Sequence, residues 1–320
     1  MKVVVTGGAG FIGANLVRQL TETQGVDQVI AVDDLSTGGE SNLAGVDVEL
    51  LRGSILDPSL LDRACAGADA VVHLAALASV PGSVADPLGT DLVNVTGTLE
   101  VLQAARRAGD AHVVVASSSA VYGNDVRMPK RESMRTVPLS PYGVSKLAAE
   151  AYTMAYAACF GLPVLPFRFF NVFGPLQPAG HVYAAVVPAF VDAAVSGREL
   201  TIFGDGEQTR DFVYVGTVCD VLVDAVRRRV TSEDAVNLAF GTRTSLNGLV
   251  RELEVTLGHR LPVSYTDARP GDVRNSQADT ERLRALFPDI VPMPLQEGLR
   301  RTVDWFRVSL ADPTESGSRA

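Results

Sequence analysis

Cysteine and histidine are scarce in this chain of 320 residues: Cys65, Cys159 and Cys219 stand far apart, as do His73, His112, His181 and His259. With no CxxC pair and an odd cysteine count, the sequence offers neither a disulfide framework nor a zinc site, and it suits a reducing compartment. Also missing is any apolar run of about twenty residues, the length that a membrane-spanning helix needs. Lys2 leads straight into Val3–Val5 and glycines, which leaves no room for the apolar core of a signal peptide. Basic residues are in the minority, 28 Lys and Arg against 37 Asp and Glu, for a net charge of −9. That sign repels phosphate backbones and argues against nucleic acid and anionic membranes as partners. The expectation is a soluble cytoplasmic protein with no metal centre.

What is present is ordinary globular material, 47% hydrophobic and 20% charged, enough for one large or two modest domains. Val3–Val5, Val29–Val32, Val48–Leu51, Ala70–Leu74 and His112–Ala116 are β-branched runs of strand length. Between them apolar residues recur at helical spacing, as in Ile12, Leu16 and Leu20. Strands alternating with helices predict an α/β fold, a Rossmann-like doubly wound parallel sheet. Past residue 160 the texture changes: Pro163, Pro166, Pro175, Pro178 and Pro188, with Gly204-Asp205-Gly206, divide shorter elements. The reading is a nucleotide-binding domain over residues 1–165 and a smaller C-terminal α/β substrate-binding lobe over 166–320. Some strands, notably Val164–Phe169 and Ala235–Ala239, are expected to extend the first sheet.

Thr6-Gly7-Gly8-Ala9-Gly10-Phe11-Ile12-Gly13 follows the first strand and opens a helix. Gly7 permits a tight turn, Gly10 lets backbone approach a pyrophosphate, and Gly13 allows close helix–strand packing, the pattern of a dinucleotide site. Asp33-Asp34 closes the second strand, where a carboxylate accepts hydrogen bonds from ribose hydroxyls and repels a 2′-phosphate. No arginine follows it, so NAD is favoured over NADP. Tyr142-Gly143-Val144-Ser145-Lys146 begins a helix after Pro138 and Pro141, which stacks Tyr142 and Lys146 one turn apart. A phenol with a pKa near 10 becomes a base near neutrality only with roughly 4–5.5 kcal/mol of differential stabilisation. An adjacent ammonium and the positive ring of an oxidised nicotinamide supply charge of the right sign. Ser117-Ser118-Ser119 lies where a parallel strand ends, facing the crevice in which ligands bind. Serines there also serve plain strand-to-loop turns, which accounts for one or two of the three.

The motifs TGGAGFIG, DDLSTG, HLAA, SSSAVYG, SPYGVSK, RFFNVFGP and GDGEQTRDFVYV, in this order over residues 2–306, resemble the extended short-chain dehydrogenase/reductases that act on nucleotide sugars. Within them the chain is most similar to the UDP-hexose 4-epimerases. SVPGS at 79–83, YAAVVPAF at 183–190, RTSLN at 243–247 and GDVRNSQAD at 271–279 resemble the subgroup that accepts UDP-N-acetylhexosamines.

The resemblance implies that Tyr142 takes the proton of the sugar 4-hydroxyl while hydride leaves carbon 4 for NAD. Ser118 then bridges the oxygen, and Lys146 lowers the tyrosine pKa. The 4-keto sugar turns over, hydride returns to the other face, and NAD stays bound. It further implies cofactor contacts for Gly7, Gly10, Phe11, Ile12, Gly13, Asp33, Asp34, Ser54, Ile55, Leu74, Ala75, Ala76 and Asn94, the last steadying the lysine. Ser79, Ser119, Asn171, Arg210, Arg269 and Ser276 fall on the substrate side, the two arginines and Asn171 at the diphosphate. A homodimer is implied, through the helix from Pro141 and the one spanning Leu92–Arg107.

Two departures stand out. The usual Gly-Asp after the third strand reads Gly53-Ser54, which alters adenine recognition. Ser119-Ala120 occupies the place where sugar 4,6-dehydratases carry Asp-Glu, so elimination lacks its proton shuttle. Ser276 stands where a tyrosine narrows the pocket of epimerases restricted to plain hexoses, and a small residue leaves room for an N-acetyl group. The competing readings are a UDP-glucuronate 4-epimerase, for which the Gln177-Pro178 region offers no arginine, a nucleotide-4-keto-sugar reductase, and a non-catalytic NAD sensor. His73 is expected to pack near the sheet edge with no catalytic role.

Overall fold

Along the first strand, β1 (Lys2–Thr6), Val3 and Val5 pack into one apolar core and Val4 into another. A strand sheltered on both faces belongs inside a parallel sheet. The computed structural model, which describes residues 1–179, 185–268 and 273–311, places it there. The chain continues through α1 (Phe11–Thr21), β2 (Gln28–Asp33), β3 (Glu49–Arg52), α2 (Pro58–Cys65), β4 (Ala70–His73), α3 (Val80–Ala85), α4 (Pro87–Asp91), α5 (Gly97–Arg107), β5 (His112–Ser118), α6 (Pro141–Phe160) and β6 (Val164–Phe169). A π-helical turn, Leu92–Thr96, joins α4 to α5. The remaining elements are β7 (Asn171–Phe173), α7 (Val186–Val195), β8 (Leu200–Phe203), β9 (Thr209–Arg210), β10 (Phe212–Tyr214), α8 (Val215–Arg228), β11 (Val236–Leu238), β12 (Thr244–Ser245), α9 (Leu246–Leu257), β13 (Val263–Thr266), α10 (Glu281–Leu286) and α11 (Leu295–Ala311).

Seven strands form one sheet in the order β11-β6-β5-β4-β1-β2-β3, every neighbouring pair parallel. This is the doubly wound sheet that the alternating pattern predicts. α2, α5 and α6 cover one face through Leu61, Leu102 and Tyr156. α1 and α8 cover the other and pack on each other. Strand order reverses between β1 and β4, so their carboxyl ends, Thr6 and His73, flank the crevice where such sheets bind ligands. β6 pairs with β5 inside the sheet, and β11 returns from far along the chain to pair with β6, Val236 opposite Phe167.

Three two-stranded sheets, β7 with β10, β9 with β12 and β8 with β13, lie in the second half, where α11 packs on α7 and α9. α6 has defined ends. The Ser140 hydroxyl accepts from the Gly143 amide at 3.1 Å, Pro141 occupies the first turn, and Gly161 closes the helix at φ +72°. Tyr142 and Lys146 thereby fall in its first two turns. Among the described residues no helix is long and apolar enough to cross a membrane, and no cluster of three His, Cys, Asp or Glu side chains is set to hold a metal.

Candidate active site

The glycine loop links β1 to α1. Gly7 adopts φ +70°, and a Cβ on Gly13 would lie 1.9 Å from the Gly7 carbonyl oxygen, so only glycine closes this turn. No side chain caps α1 at Gly10, which leaves the amides of the turn opened by Phe11 and Ile12 for an anion. Asp33 is buried, its Oδ2 accepting from the Ala9 amide at 2.9 Å and its Oδ1 from the Leu35 amide at 2.8 Å. Its remaining lone pairs suit ribose hydroxyls. Asp34 is exposed and caps Ser36. Ser54 spends its hydroxyl oxygen on the Leu56 amide at 3.2 Å, and Ile55 packs where a Gly97 side chain would stand. Leu74 and Ala75 donate their amides to Thr6, followed by the partly buried Ala76. A cradle of glycines, an uncapped helix start and a strand-end carboxylate fits a dinucleotide.

At the end of β5, Ser118 Oγ accepts from the Ala120 amide at 3.1 Å and starts the turn Ser119–Tyr122. Its hydroxyl also engages the Tyr142 phenol and favours the phenolate. Burial outweighs that effect and pushes the Tyr142 pKa up, the reverse of the direction expected from Lys146. Lys146 is itself buried, its Nζ donating to the Ala116 carbonyl at 2.8 Å, and burial brings its pKa down to about 8.

Asn94 lies on the π-turn. Its amide bonds both backbone groups of Leu77 and donates to Ser145 Oγ at 2.9 Å, and Ser145 donates to the Tyr142 carbonyl. A directional chain runs behind it. Thr98 donates to the Asn94 carbonyl at 2.5 Å, so it must accept from His73 Nε2 at 3.0 Å, and His73 Nδ1 accepts from Thr6 at 2.7 Å. His73 is therefore neutral, held at about 3 by burial and by the Lys146 charge. It lies on β4 in the middle of the sheet, not at an edge.

A second network was not read from the sequence. Glu150, one turn beyond Lys146, binds Arg168 of β6 through Oε1–Nη2 at 2.6 Å and Oε2–Nε at 3.0 Å, and accepts from Ser117 at 2.8 Å. Arg168 donates to Tyr122 Oη, which donates to Asn237 of β11. The available signal was a lone arginine inside the apolar run Val164–Phe169, a charge that demands a buried partner. Asp211, buried between β9 and β10, is a second charge held by the interior. Its carboxylate accepts from the amides of Gly241, Thr242 and Ala278 and from the Thr242 hydroxyl, while burial raises its pKa.

Asn171 and Arg210 line one cavity of about 400 Å³, walled also by Phe190, Phe203 and Phe212. The Ser276 amide donates to the Thr209 carbonyl at 3.0 Å, which places it beside Arg210. Ser79 caps α3 by accepting from the Gly82 amide. Arg269 lies outside the described residues.

Fold and site together define an NAD-binding Rossmann-type protein with a Ser-Tyr-Lys constellation at the carboxyl edge of its sheet. The model of the NAD dependent epimerase/dehydratase family matches residues 3–239. A UDP-glucose 4-epimerase of Mycolicibacterium smegmatis is 37% identical over 314 residues, 96% of this chain and 99% of that protein. A UDP-N-acetylglucosamine 4-epimerase of Methanobrevibacter ruminantium, solved with UDP-N-acetylmuramic acid, is 36% identical with a TM-score of 0.91, over 96% of this chain and 98% of that one. A UDP-glucose 4-epimerase of Thermotoga maritima, solved with UDP-glucose, is 36% identical with a TM-score of 0.89, over 97% and 100%. The chain belongs to the NAD dependent epimerase/dehydratase family, and is an enzyme of the epimerase kind whose cofactor is NAD.

The buried ammonium has a measurable consequence. Below pH 8 Lys146 is charged in both folded and unfolded chains, and the burial penalty is complete. Between pH 8 and about 10.4 the unfolded chain binds more protons, so stability rises with pH and the penalty disappears. Lys146→Met is expected to stabilise the protein at pH 7 by about 2–3 kcal/mol, to lose that advantage by pH 10, and to abolish turnover. Urea unfolding at pH 7, 8.5 and 10 reads this directly; equal destabilisation at all three values would contradict it.

Proposed function

We propose that this chain is a UDP-sugar 4-epimerase. It interconverts UDP-N-acetylglucosamine with UDP-N-acetylgalactosamine, and UDP-glucose with UDP-galactose, through a 4-keto sugar. The observation that carries the reading is the convergence of Ser118, Tyr142 and Lys146 at the ends of β5 and α6. Residues 1–165 hold the cofactor, and residues 166–320 mainly the nucleotide sugar, with Asn171 and Arg210 at the diphosphate. A guanidinium fork suits phosphate oxygens.

Tyr142 takes the proton from the sugar 4-hydroxyl as carbon 4 is oxidised. Ser118 holds the oxygen in transit, since its hydroxyl both donates and accepts. The Lys146 ammonium favours the phenolate that forms. Bound NAD supplies the hydride acceptor for carbon 4 and a positive ring that favours the phenolate. The ketone then turns about its link to the diphosphate, and Tyr142 returns its proton to the same oxygen after reduction on the opposite face. Ser119-Ala120 provides no acid or base for expelling the 6-hydroxyl, so the ring keeps its substituents. Ser276, beside Arg210, is short enough to admit a 2-acetamido group. A homodimer fits the exposed apolar residues Leu88 and Leu92 ahead of α5 and Val144, Tyr152 and Phe160 along α6.

Tyr142→Phe is expected to lower turnover about 10²–10⁴-fold with little change in KM; retention of more than about a tenth contradicts the general-base role. Ser276→Tyr removes activity on the N-acetylated sugars and spares the plain hexoses, whereas equal loss on both means that Ser276 is no gate. Sedimentation gives twice the 33.8 kDa of one chain, and a monomer at micromolar concentration disproves the dimer.

A further inference from the structure

Asn237 lies on β11, at the edge of the seven-stranded sheet and opposite Arg168 of β6, with none of its surface exposed. Its side-chain amide is used at both ends. Nδ2 donates to the Lys130 carbonyl at 2.8 Å, and Oδ1 accepts from Tyr122 Oη at 2.6 Å. A carbonyl only accepts, so the NH₂ group must face Lys130 and the oxygen must face Tyr122. The phenol then spends its one proton on Asn237, which leaves its lone pairs for Arg168 Nη1 at 2.9 Å. The reverse orientation would set two carbonyl oxygens against each other in a dry interior, so the amide has one place.

The two ends lead to opposite sides of the site. Tyr122 closes the turn Ser119–Tyr122 that Ser118 starts, and Arg168 holds Glu150 of α6, the helix of Tyr142 and Lys146. Lys130, in contrast, is laced to the segment that carries Ser276. Its amide donates to the Gln277 carbonyl at 2.8 Å, and its carbonyl also accepts from the Asp279 amide at 2.8 Å. Immediately before Gln277, the Ser276 amide donates to the Thr209 carbonyl of β9. Tyr122 lies 115 residues from Asn237 and Lys130 lies 107, so no local element imposes these contacts. We infer that Asn237 is a positioning residue, one buried amide that holds the substrate segment at Ser276 in register with the Ser118 turn and α6. It acts through Tyr122 and Lys130 and not by touching the sugar. This rests on the nucleotide-sugar reading and adds to it a residue that joins the substrate side to the Ser-Tyr-Lys side.

Steady-state kinetics of the NAD-containing full chain test it, on whichever of UDP-N-acetylglucosamine and UDP-glucose the wild type turns over faster. Tyr122→Phe cuts only the link to the Ser118 turn, since Arg168 keeps Glu150 and the Glu132 carbonyl. It is expected to lower kcat about tenfold and to leave KM within about twofold. Asn237→Asp keeps the acceptor for Tyr122 but sets an oxygen against the Lys130 carbonyl. It should raise KM about tenfold with kcat within about threefold. Asn237→Leu cuts both links and should show both effects, with Tyr122→Phe adding no further loss of kcat on top of it. Circular dichroism confirms that each variant is folded, and Tyr122→Phe decides alone if the Asn237 variants do not fold. Folded variants with wild-type kcat and KM, even at a lower melting temperature, overturn the inference by reducing Asn237 to a structural amide. So does an equal change of kcat and KM in Tyr122→Phe and Asn237→Asp alike. A wild type that epimerises neither sugar is the separate failure of the nucleotide-sugar reading, and the inference falls with it.

Discussion

The ion pair between Glu150 and Arg168 fixes the helix that carries Tyr142 and Lys146. It lies inside the protein, doubly hydrogen-bonded, with Ser117, Tyr122 and the Glu132 carbonyl satisfying its outer atoms, and Tyr122 donating onward to Asn237. α6 is therefore tied to β5, β6 and β11 at one point, a single turn beyond Lys146. Removing one partner of such a pair typically costs about 3–5 kcal/mol, because the other charge is left unmatched in a dry interior. Rotation of α6 would carry Tyr142 and Lys146 away from Ser118 together, so the pair governs the geometry of all three.

Charge is handled in opposite ways on the two sides of that helix turn. Glu150 and Arg168 cancel each other, whereas among the described residues the Lys146 ammonium donates only to the Ala116 carbonyl. The chain tolerates a buried cation one helical turn from Tyr142, where the proposed reaction develops a phenolate. Its neighbour His73 stays neutral because burial and the Lys146 charge disfavour the cation, while Thr6 and Thr98 fix which nitrogen bears the proton. Folding for stability alone would not leave Lys146 in that state, and functional sites are where such departures concentrate.

Much of this architecture is legible in the sequence because it is local. The β-branched runs, the glycines at 7, 10 and 13, Asp33 and the spacing of Tyr142 from Lys146 each lie within one element or one turn. Gly13 is readable for a simple reason, since any side chain there would strike Gly7. Partnerships across the chain are not legible in this way. Arg168 and Tyr122 meet Asn237 only because β11 returns to the sheet beside β6. Asn94 bonds Ser145 and Leu77, contacts that its motif alone does not reveal. The spacing of Tyr142 and Lys146 also does not reveal how thoroughly burial raises the tyrosine pKa in the chain by itself.

The substrate side is a division of labour along one wall. Asp211 pins the strands that carry Asn171 and Arg210 to the segment of Ala278, so these two side chains, proposed to meet the diphosphate, share one buried anchor with Ser276. The most direct test of the whole account is to mix the purified protein, with no added cofactor, separately with UDP-N-acetylglucosamine and UDP-glucose and follow the sugar protons by NMR. The account predicts that the galacto epimers appear and settle to a constant mixture, with no net consumption of cofactor. Failure to form either epimer, even with NAD supplied, would contradict it.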